Sequence, residues 1–309
     1  MKVAVVGAGA MGCLYAAALH RAGAIVTLVD VNPEHIATIN ARGLELDTRA
    51  GLETLPLPAL HPEQATDTAD LIVLFTKTFH TDAALQGVQA IIGSETRALT
   101  LQNGLGNDEA VARHVARDRV IAGVSTLPSD LVGPGRVRSH GEGGSKVYPA
   151  FGGGTAFAQE VADLLTAGGV PTALEPNIQA AVLSKAIFNA AMNTLCALTR
   201  RTPGFLGAHD EAQALIHAVV HEGVAAANAS GVAIDAQPIL DLAVVSVTDH
   251  ADHEASMLQD VKAGRPTEVD AIAGAIVRAA QAAGVAVPVT ETLWRLVKLE
   301  DAKLALRPA

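Results

Sequence analysis

The stretch Lys2-Val3-Ala4-Val5-Val6-Gly7-Ala8-Gly9-Ala10-Met11-Gly12, followed by an apolar segment, opens the chain. This order predicts a β-strand, a glycine turn and an α-helix. In such a unit Gly7 allows a sharp turn off the strand, Gly9 allows the backbone to approach a pyrophosphate, and Gly12 allows the helix to pack closely on the strand. Free N–H groups at the helix N-terminus favour an anion. Residues 7–12 therefore form a candidate dinucleotide-binding loop, and a glycine loop that serves only packing is the alternative.

The second hydrophobic run, Ala24 to Val29, ends in an acidic residue, Asp30. An acidic side chain about 20 residues beyond a glycine loop can accept hydrogen bonds from both ribose hydroxyls of NAD. The same carboxylate would repel the 2′-phosphate of NADP, and Val31 offers no compensating positive charge. The sequence therefore predicts a preference for NAD(H).

Composition limits the class of protein. Half of the 309 residues are hydrophobic and 17% are charged, as in ordinary folded proteins, and the length suggests two domains. A net charge of −10 argues against nucleic acid or an anionic membrane surface as the main partner. A small anionic substrate stays compatible, because it needs only local positive charge.

Sequence features also favour the cytoplasm. No uninterrupted apolar run reaches the ~20 residues needed to span a bilayer, and the N-terminus lacks the pattern of a signal peptide. Cys13 and Cys196 lie in apolar segments and are expected to be small core residues of a reducing compartment.

Polar residues follow two further predicted strands. Lys77 ends the strand that begins at Ala69, and Asn103 follows the strand that begins at Arg97. In an open parallel sheet, ligands gather beyond the carboxyl ends of the strands. Lys77 and Asn103 are therefore candidate cofactor or substrate contacts. A solvated loop lysine and an ordinary Asn-Gly turn are the alternatives.

The pattern divides the chain near residue 174. Strands and helices alternate as far as a predicted strand at Gly169 to Ala173, which is typical of a doubly wound α/β sheet. Within this part, Gly133 to Gly141 is expected to form a turn that leads into a short strand, which would pair antiparallel with Lys146 to Phe151. Long amphipathic helices follow from Asn177. We thus expect an α/β Rossmann-type domain at residues 1–173 and an all-α domain at residues 174–309.

The helix predicted for Asn177 to Thr199 carries Lys185, Asn189 and Asn193 at four-residue intervals, which places them on one face. Polar groups inside so apolar a helix are costly to bury without partners, and a ligand-binding cleft would provide partners. A polar seam that faces water or a neighbouring helix is the alternative.

Other polar clusters have simpler interpretations. His217 and His221 are spaced to share a metal ion, but no third ligand is evident, and the Asp249 to Glu254 cluster reads as a solvated turn. No metal site is expected. Farther on, Thr267 is predicted to cap a helix, with Asp270 as a capping-box-like partner. Glu268 in that first turn would complement the helix dipole or face a cleft.

Together these motifs resemble the ketopantoate reductases. The glycine loop, a strand ending in Lys77, the Gln102-Asn103-Gly104 turn, the Lys185/Asn189/Asn193 helix and the segment from Ser256 to Asp270 occur in the same order in that family. The resemblance covers essentially the whole chain. It implies a dinucleotide-binding domain followed by an all-α domain like that of 6-phosphogluconate dehydrogenase, with the active site in the cleft between them.

The resemblance also implies roles for single residues. Lys185 would be the general acid and Glu268 the second catalytic residue in the reduction of 2-dehydropantoate to (R)-pantoate, a step of pantothenate and coenzyme A biosynthesis. Asn189, Asn193 and Ser256 would hold the hydroxyl and carboxylate groups of the substrate. The cofactor contacts would be residues 7–12, Asp30 and Lys77, together with Asn103 near the nicotinamide ribose and the substrate.

Two departures from the family pattern leave alternatives open. Family members commonly use NADP(H) and carry an arginine just after the second strand, where this chain has Asp30-Val31. Many also carry tryptophan two residues before the lysine, where this chain has Leu183. An NAD-dependent D-2-hydroxy-acid dehydrogenase on the same scaffold is therefore an alternative, and a non-catalytic dinucleotide sensor is another. A homodimer is common for such scaffolds, although the sequence reveals no interface.

Overall fold

A computed structural model describes residues 1–306 of the chain. Twelve strands and twelve α-helices lie within these residues. The strands are β1 (Lys2–Val6), β2 (Ile25–Val29), β3 (Leu44–Thr48), β4 (Gly51–Leu55), β5 (Ala59–Leu60), β6 (Leu71–Leu74), β7 (Arg97–Thr100), β8 (Val120–Ser125), β9 (Asp130–Gly133), β10 (Arg136–Ser139), β11 (Ser145–Pro149) and β12 (Thr172–Leu174). The helices are α1 (Ala10–Arg21), α2 (Pro33–Arg42), α3 (Thr81–Gly87), α4 (Asn107–Val111), α5 (Ala156–Ala167), α6 (Ile178–Thr199), α7 (Pro203–Gly207), α8 (Asp210–Ala229), α9 (Gln237–Thr248), α10 (Ser256–Ala263), α11 (Ala273–Ala282) and α12 (Pro288–Ala302).

The chain forms two compact units. The first comprises Met1–Gln102 and Gly106–Ile178, and the second comprises Asn103–Leu105 and the chain from Gln179 onward. The boundary thus lies a few residues beyond the position expected from the change in sequence pattern. The sequence pattern also gave no sign that the short turn Asn103–Leu105 groups with the helical unit.

The first unit contains an eight-stranded sheet in the order β12-β11-β8-β7-β6-β1-β2-β5. The strands from β8 to β5 run parallel, β11 pairs antiparallel with β8, and β12 pairs parallel with β11. Alternate residues of β1 point into different apolar clusters. Val3 and Val5 pack with α1 and α5, whereas Ala4 and Val6 pack with α3 and α4. Both faces of the sheet are therefore covered by helices, as predicted for a doubly wound α/β domain.

A second, four-stranded sheet in the order β4-β3-β10-β9 completes this unit. The expected antiparallel pairing of the strand within residues 133–141 with residues 146–151 is wrong: β10 pairs with β3 and β9, and β11 pairs with β8. In both strands buried and exposed residues alternate, and this pattern is compatible with pairing in either of the two sheets. Their pattern alone did not specify the partner.

The second unit is all-helical around α6. Ile187, Ala190 and Met192 of this helix belong to a core cluster shared with α8 to α12. Among the described residues, α6 is the one helix whose length and composition would allow it to cross a membrane, but 61% of its most apolar window is buried within the protein. Such burial is typical of the core helix of a soluble protein.

Candidate functional site

The glycine turn of the first unit is shaped by two backbone contacts. Gly7 has a φ of +93°, and a Cβ there would lie 2.6 Å from the Thr76 nitrogen. At Gly12 a Cβ would lie 2.0 Å from the Gly7 carbonyl oxygen. By contrast, a Cβ at Gly9 would meet no atom within 4 Å. Gly7 and Gly12 are thus required for packing, whereas Gly9 borders open space.

The open space lies at the N-terminus of α1. Gly9 is its N-cap, no side chain caps the free N–H groups, and the first turn has no acidic residue. Ala10 and Met11 begin the helix beside it, with Ala8 buried beneath the turn. Unpaired N–H groups and a positive dipole end are suited to a phosphate group. A pyrophosphate would fit here without displacing a side chain.

Asp30 at the end of β2 is tied to this turn. Its Oδ2 accepts a hydrogen bond from the Ala8 N–H at 2.7 Å, and its Oδ1 accepts one from the Asn32 N–H at 2.9 Å. Because a carboxylate offers about four acceptor sites, these two bonds leave capacity for ribose hydroxyls. Val31, the next residue, is 71% exposed. The carboxylate is therefore fixed in orientation next to the glycine turn.

The ends of β6 and β7 are joined by a side chain to which the sequence pattern assigned no role. The Gln102 amide donates to the Thr76 carbonyl and to the Thr81 hydroxyl, both at 2.8 Å. Lys77, half-buried, follows Thr76 and precedes a short 3-10 helix. Gln102 is 8% exposed, and a glutamine at a strand end was the only signal that could have identified it.

In the second unit, Lys185, Asn189 and Asn193 form a polar stripe along α6, and their side chains are largely shielded from water. Asn189 and Asn193 are 7% and 6% exposed, and Lys185 is half-buried. Burial lowers the pKa of the Lys185 ammonium to about 8, and the negative charge of Glu268 opposes that shift. An amine that titrates near neutral pH can donate a proton far more readily than an ordinary lysine.

Two further predicted residues lie close to this stripe. Ser256 begins α10, and the Asn193 amide donates to its hydroxyl at 3.5 Å. Glu268 is 6% exposed, and its charge acts on Lys185. Lys185, Asn193, Ser256 and Glu268, which are far apart in sequence, are therefore linked within the helical unit. The contact between Asn193 and Ser256 fits a substrate site, and it also fits the simpler alternative of a polar seam between helices.

The segment around Glu268 is not a helix start, so the predicted capping role of Thr267 is wrong. Helix α11 begins at Ala273, with Ile272 as its N-cap. The Thr267 N–H and hydroxyl instead donate to the two carboxylate oxygens of Asp301 on α12, at 3.1 and 2.8 Å. Asp270 accepts from Trp294 and Lys298 of the same helix. The Thr267 hydroxyl also accepts one local bond, from the Val269 N–H at 3.4 Å, but long-range contacts take the place of the helix cap that the spacing predicted.

The turn with Asn103 is attached to the same region. The Leu105 N–H donates to the Ala271 carbonyl at 2.8 Å. Gly104 has a φ of +86°, and a Cβ there would lie 2.7 Å from that carbonyl oxygen. The turn therefore lies directly on the residue that follows the Glu268 segment, which explains why Asn103–Leu105 group with the helical unit.

Two other features that the sequence singled out are the histidine pair of α8 and the two cysteines. The rings of His217 and His221 are 6.3 Å apart, and within residues 1–306 no group of three or more His, Cys, Asp or Glu side chains could hold a metal ion. Both cysteines are buried, and burial raises the pKa of each thiol; that of Cys196 lies at about 12. Neither thiol is suited to nucleophilic chemistry.

Two family models match the chain. The model described as "Ketopantoate reductase PanE/ApbA" matches residues 3–151, and the one described as "Ketopantoate reductase PanE/ApbA C terminal" matches residues 177–301. The 2-dehydropantoate 2-reductase of Streptococcus pyogenes serotype M3 is 32% identical over 99% of this chain and 100% of its own length. That of Pyrococcus horikoshii is 32% identical over 97% and 98%.

Solved structures agree with these matches. A D-mandelate dehydrogenase with NADH and anilino(oxo)acetate superimposes with a TM-score of 0.94 at 31% identity, covering 99% of this chain and 100% of that one. The 2-dehydropantoate 2-reductase from Geobacter metallireducens superimposes with a TM-score of 0.91 at 30% identity, covering 97% and 99%. Both similarities extend over both units.

Proposed function

The chain belongs to the ketopantoate reductase family, and on that premise we propose that it reduces 2-dehydropantoate to (R)-pantoate with a nicotinamide cofactor, in pantothenate and coenzyme A biosynthesis. The observation that carries this proposal is the environment of the partly buried Lys185. Burial lowers its pKa to about 8, and the nearby negative charge of Glu268 opposes that shift. We further propose that the protein is cytoplasmic and forms a homodimer.

In the proposed reaction the hydride comes from the cofactor, and the proton comes from Lys185 of the helical unit. A nicotinamide held by the first unit would supply a hydride to the C2 carbonyl carbon of the keto acid. As the C–H bond forms, the carbonyl π electrons move to oxygen, and the Lys185 ammonium transfers a proton to that oxygen. Lys185 then regains a proton from water. One keto acid, one reduced cofactor and one proton give one hydroxy acid and one oxidised cofactor.

The other polar side chains would orient the substrate. Asn189 and Asn193 on α6 and Ser256 on α10 provide neutral donors and acceptors for the hydroxyl and carboxylate groups. Glu268 would hydrogen-bond the substrate or orient Lys185. Holding the reacting carbonyl at a fixed angle removes an entropic cost from the barrier.

For the cofactor, we propose that residues 7–12 hold the pyrophosphate, with Lys77 and Asn103 as further contacts. We propose NAD(H) as the preferred form. The Asp30 carboxylate, oriented by the Ala8 N–H, favours ribose hydroxyls over a 2′-phosphate. The exposed Val31 adds no positive charge.

A second candidate is an NAD-dependent D-2-hydroxy-acid dehydrogenase. The observation that favours it is the combination of Asp30 with Leu183, which lies half-buried one half-turn before Lys185 and packs on the helical core. A leucine leaves room for a substrate group different from the one that a tryptophan would contact. The similarity to a D-mandelate dehydrogenase with bound NADH supports this candidate.

The test is a set of initial rates with 2-dehydropantoate and with phenylglyoxylate, each with NADH and with NADPH. Faster turnover of 2-dehydropantoate with NADH is the expected result. Faster turnover of phenylglyoxylate would favour the second candidate, and a clear preference for NADPH would refute the cofactor proposal. Tight cofactor binding without turnover of any 2-keto acid would indicate a non-catalytic sensor.

A further inference from the structure

We propose that Asp301 is a positioning residue for Glu268: from α12 it holds the segment Thr267–Ala271 in the orientation that the proposed reaction needs. This inference rests on the proposed function, in which Glu268 acts beside Lys185. No pattern in the sequence links residues 267 and 301.

The Asp301 carboxylate accepts from the Thr267 N–H at 3.1 Å and from the Thr267 hydroxyl at 2.8 Å, one bond to each oxygen. Two bonds from one carboxylate to the main chain and side chain of the same residue fix both its position and its rotation. Because Glu268 is the next residue, the direction in which its side chain leaves the backbone is fixed as well.

On the Thr267 side of the segment, the Arg265 N–H donates to the Asp260 carbonyl at 2.8 Å and the Val269 N–H donates to the Thr267 hydroxyl at 3.4 Å, and the two Asp301 bonds add to this local support. Residues 264–272 form neither helix nor strand. The Glu268 carbonyl accepts from the Ala271 and Ile272 N–H groups at 3.0 and 3.1 Å, which closes the turn toward α11. Proline precedes Thr267 and has no N–H to contribute. Asp301 therefore helps to fix the entrance to the turn, while backbone bonds fix its exit.

The contacts that α12 makes with this segment differ in burial and in strength. Trp294, Lys298 and Asp301 lie on one face of α12, and the first two bind the Asp270 carboxylate at 2.8 and 2.5 Å. The pair of Lys298 and Asp270 is about half exposed, so it contributes little. Thr267 is only 5% exposed, and a buried bond to a charged acceptor is stronger. Of the contacts that α12 makes with the segment, the pair of bonds from Thr267 to Asp301 is thus the stronger constraint.

The pKa of Lys185 reports the position of Glu268. The charge that acts on the Lys185 ammonium is that of Glu268, and it opposes the effect of burial. If Glu268 moves away, its carboxylate stabilises the ammonium less, and the pKa of Lys185 falls. A variant that merely destabilises the fold would leave this pKa unchanged in the folded protein.

The chain contains a matched control. Glu222 on α8 accepts from the Val289 N–H, the Thr290 N–H and the Thr290 hydroxyl at 2.9, 2.7 and 2.7 Å, at the other end of α12. The contact has the same chemistry, with a carboxylate on the N–H and hydroxyl of a buried threonine. Removing Glu222 should cost at least as much stability, but it leaves the segment 267–271 untouched.

The experiment compares Asp301→Ala, Asp301→Asn and Glu222→Ala in the full-length protein. Two quantities are measured: kcat/KM for 2-dehydropantoate as a function of pH, and the pKa of Lys185 from the 13Cε chemical shift of lysine-labelled protein, assigned with Lys185→Arg. We expect Asp301→Ala to lose about 10²-fold in kcat/KM, the size of a misplacement of roughly 1 Å, and to lower the pKa of Lys185. Glu222→Ala should change neither.

Asp301→Asn should recover most of the loss, because the amide can accept from the Thr267 N–H and donate to its hydroxyl oxygen. An unchanged Lys185 pKa and kcat/KM in Asp301→Ala would overturn the inference, as would equal effects of Glu222→Ala. If Asp301→Ala does not fold, Thr267→Val, which removes one of the two bonds, replaces it with the same expectations. If the wild-type protein turns over no keto acid, the proposed function fails, but the Lys185 titration still decides whether Asp301 positions Glu268.

Discussion

The glycine turn of residues 7–12 and the segment of residues 267–271 are both irregular backbone segments proposed to contact reacting molecules, but they are held in different ways. In the first, missing side chains let backbone approach backbone, as at Gly12 against the Gly7 carbonyl. In the second, side chains of α12, some thirty residues later, bind the Thr267 N–H and the side chains of Thr267 and Asp270. A turn built on glycine is therefore encoded locally, whereas a turn built on distant partners is encoded by the fold.

The difference extends to the proposed roles, since the first segment would bind the cofactor and the second would support proton transfer. The largest expected effect tests this division. Lys185→Met removes the ammonium but keeps the length of the side chain, so we expect kcat to fall by about 10²–10⁴-fold, the usual contribution of general acid catalysis. The dissociation constant for NADH, measured by fluorescence titration, should stay within twofold of the wild-type value, roughly the scatter expected for an untouched site.

Normal turnover in Lys185→Met would refute the proposed general acid. Lys185→Arg is the control for charge: it retains a cation but cannot release a proton near neutral pH. It should therefore be nearly as inactive as the methionine variant. Activity in the arginine variant alone would mean that Lys185 acts as a fixed charge.

The pH dependence should differ between the two directions of the reaction. Reduction needs the protonated form of Lys185, whose pKa lies at about 8, so kcat/KM for the keto acid should be constant below that pH and fall as the pH rises through it. Oxidation of the hydroxy acid needs the neutral amine, so its kcat/KM should rise through the same pH range. Profiles measured from pH 6 to 10 check the sign, and parallel profiles would contradict the role of Lys185.

Features that are encoded locally, like the glycine turn, are the ones that the sequence alone could predict. The doubly wound sheet, the helical second unit and the family follow from motifs that are contiguous or periodic, such as the Gly7 to Gly12 turn and the α6 stripe. The prediction that Thr267 caps a helix was wrong because its spacing to Asp270 imitates a capping box, whereas its long-range partner is Asp301. Likewise Gln102 was noticed only as part of a turn. Partners brought together by tertiary packing leave no periodic signal.

Two glycines of the same turn separate packing from binding. Gly12→Ala places a Cβ 2.0 Å from the Gly7 oxygen, so we expect a loss of about 1–3 kcal/mol or more in the free energy of unfolding. Gly9→Ala meets no atom within 4 Å and keeps an extended backbone with a φ of −66°. That variant should retain its stability but bind NADH more than ~10-fold more weakly, because the methyl group occupies the space of the pyrophosphate.

Urea denaturation and NADH titration of both variants provide the check. Equal loss of stability in the two variants would mean that Gly9 is also a packing residue. Unchanged NADH affinity in Gly9→Ala would place the pyrophosphate elsewhere, and the glycine turn would then not be the cofactor-binding segment.

The smallest expected effect concerns cofactor choice. Val31 is 71% exposed, so Val31→Arg should leave stability unchanged while it offers a guanidinium to the 2′-phosphate of NADP. A charge-assisted hydrogen bond contributes about 1.5–3 kcal/mol, which corresponds to a shift of roughly 10- to 100-fold in the ratio of kcat/KM for NADPH to that for NADH. Repulsion from Asp30 should hold the shift near the lower end, and Asp30→Asn combined with Val31→Arg should increase it. Val31→Leu adds bulk without charge and should not change the ratio; an equal shift in that control would show that the charge argument for NAD(H) is wrong.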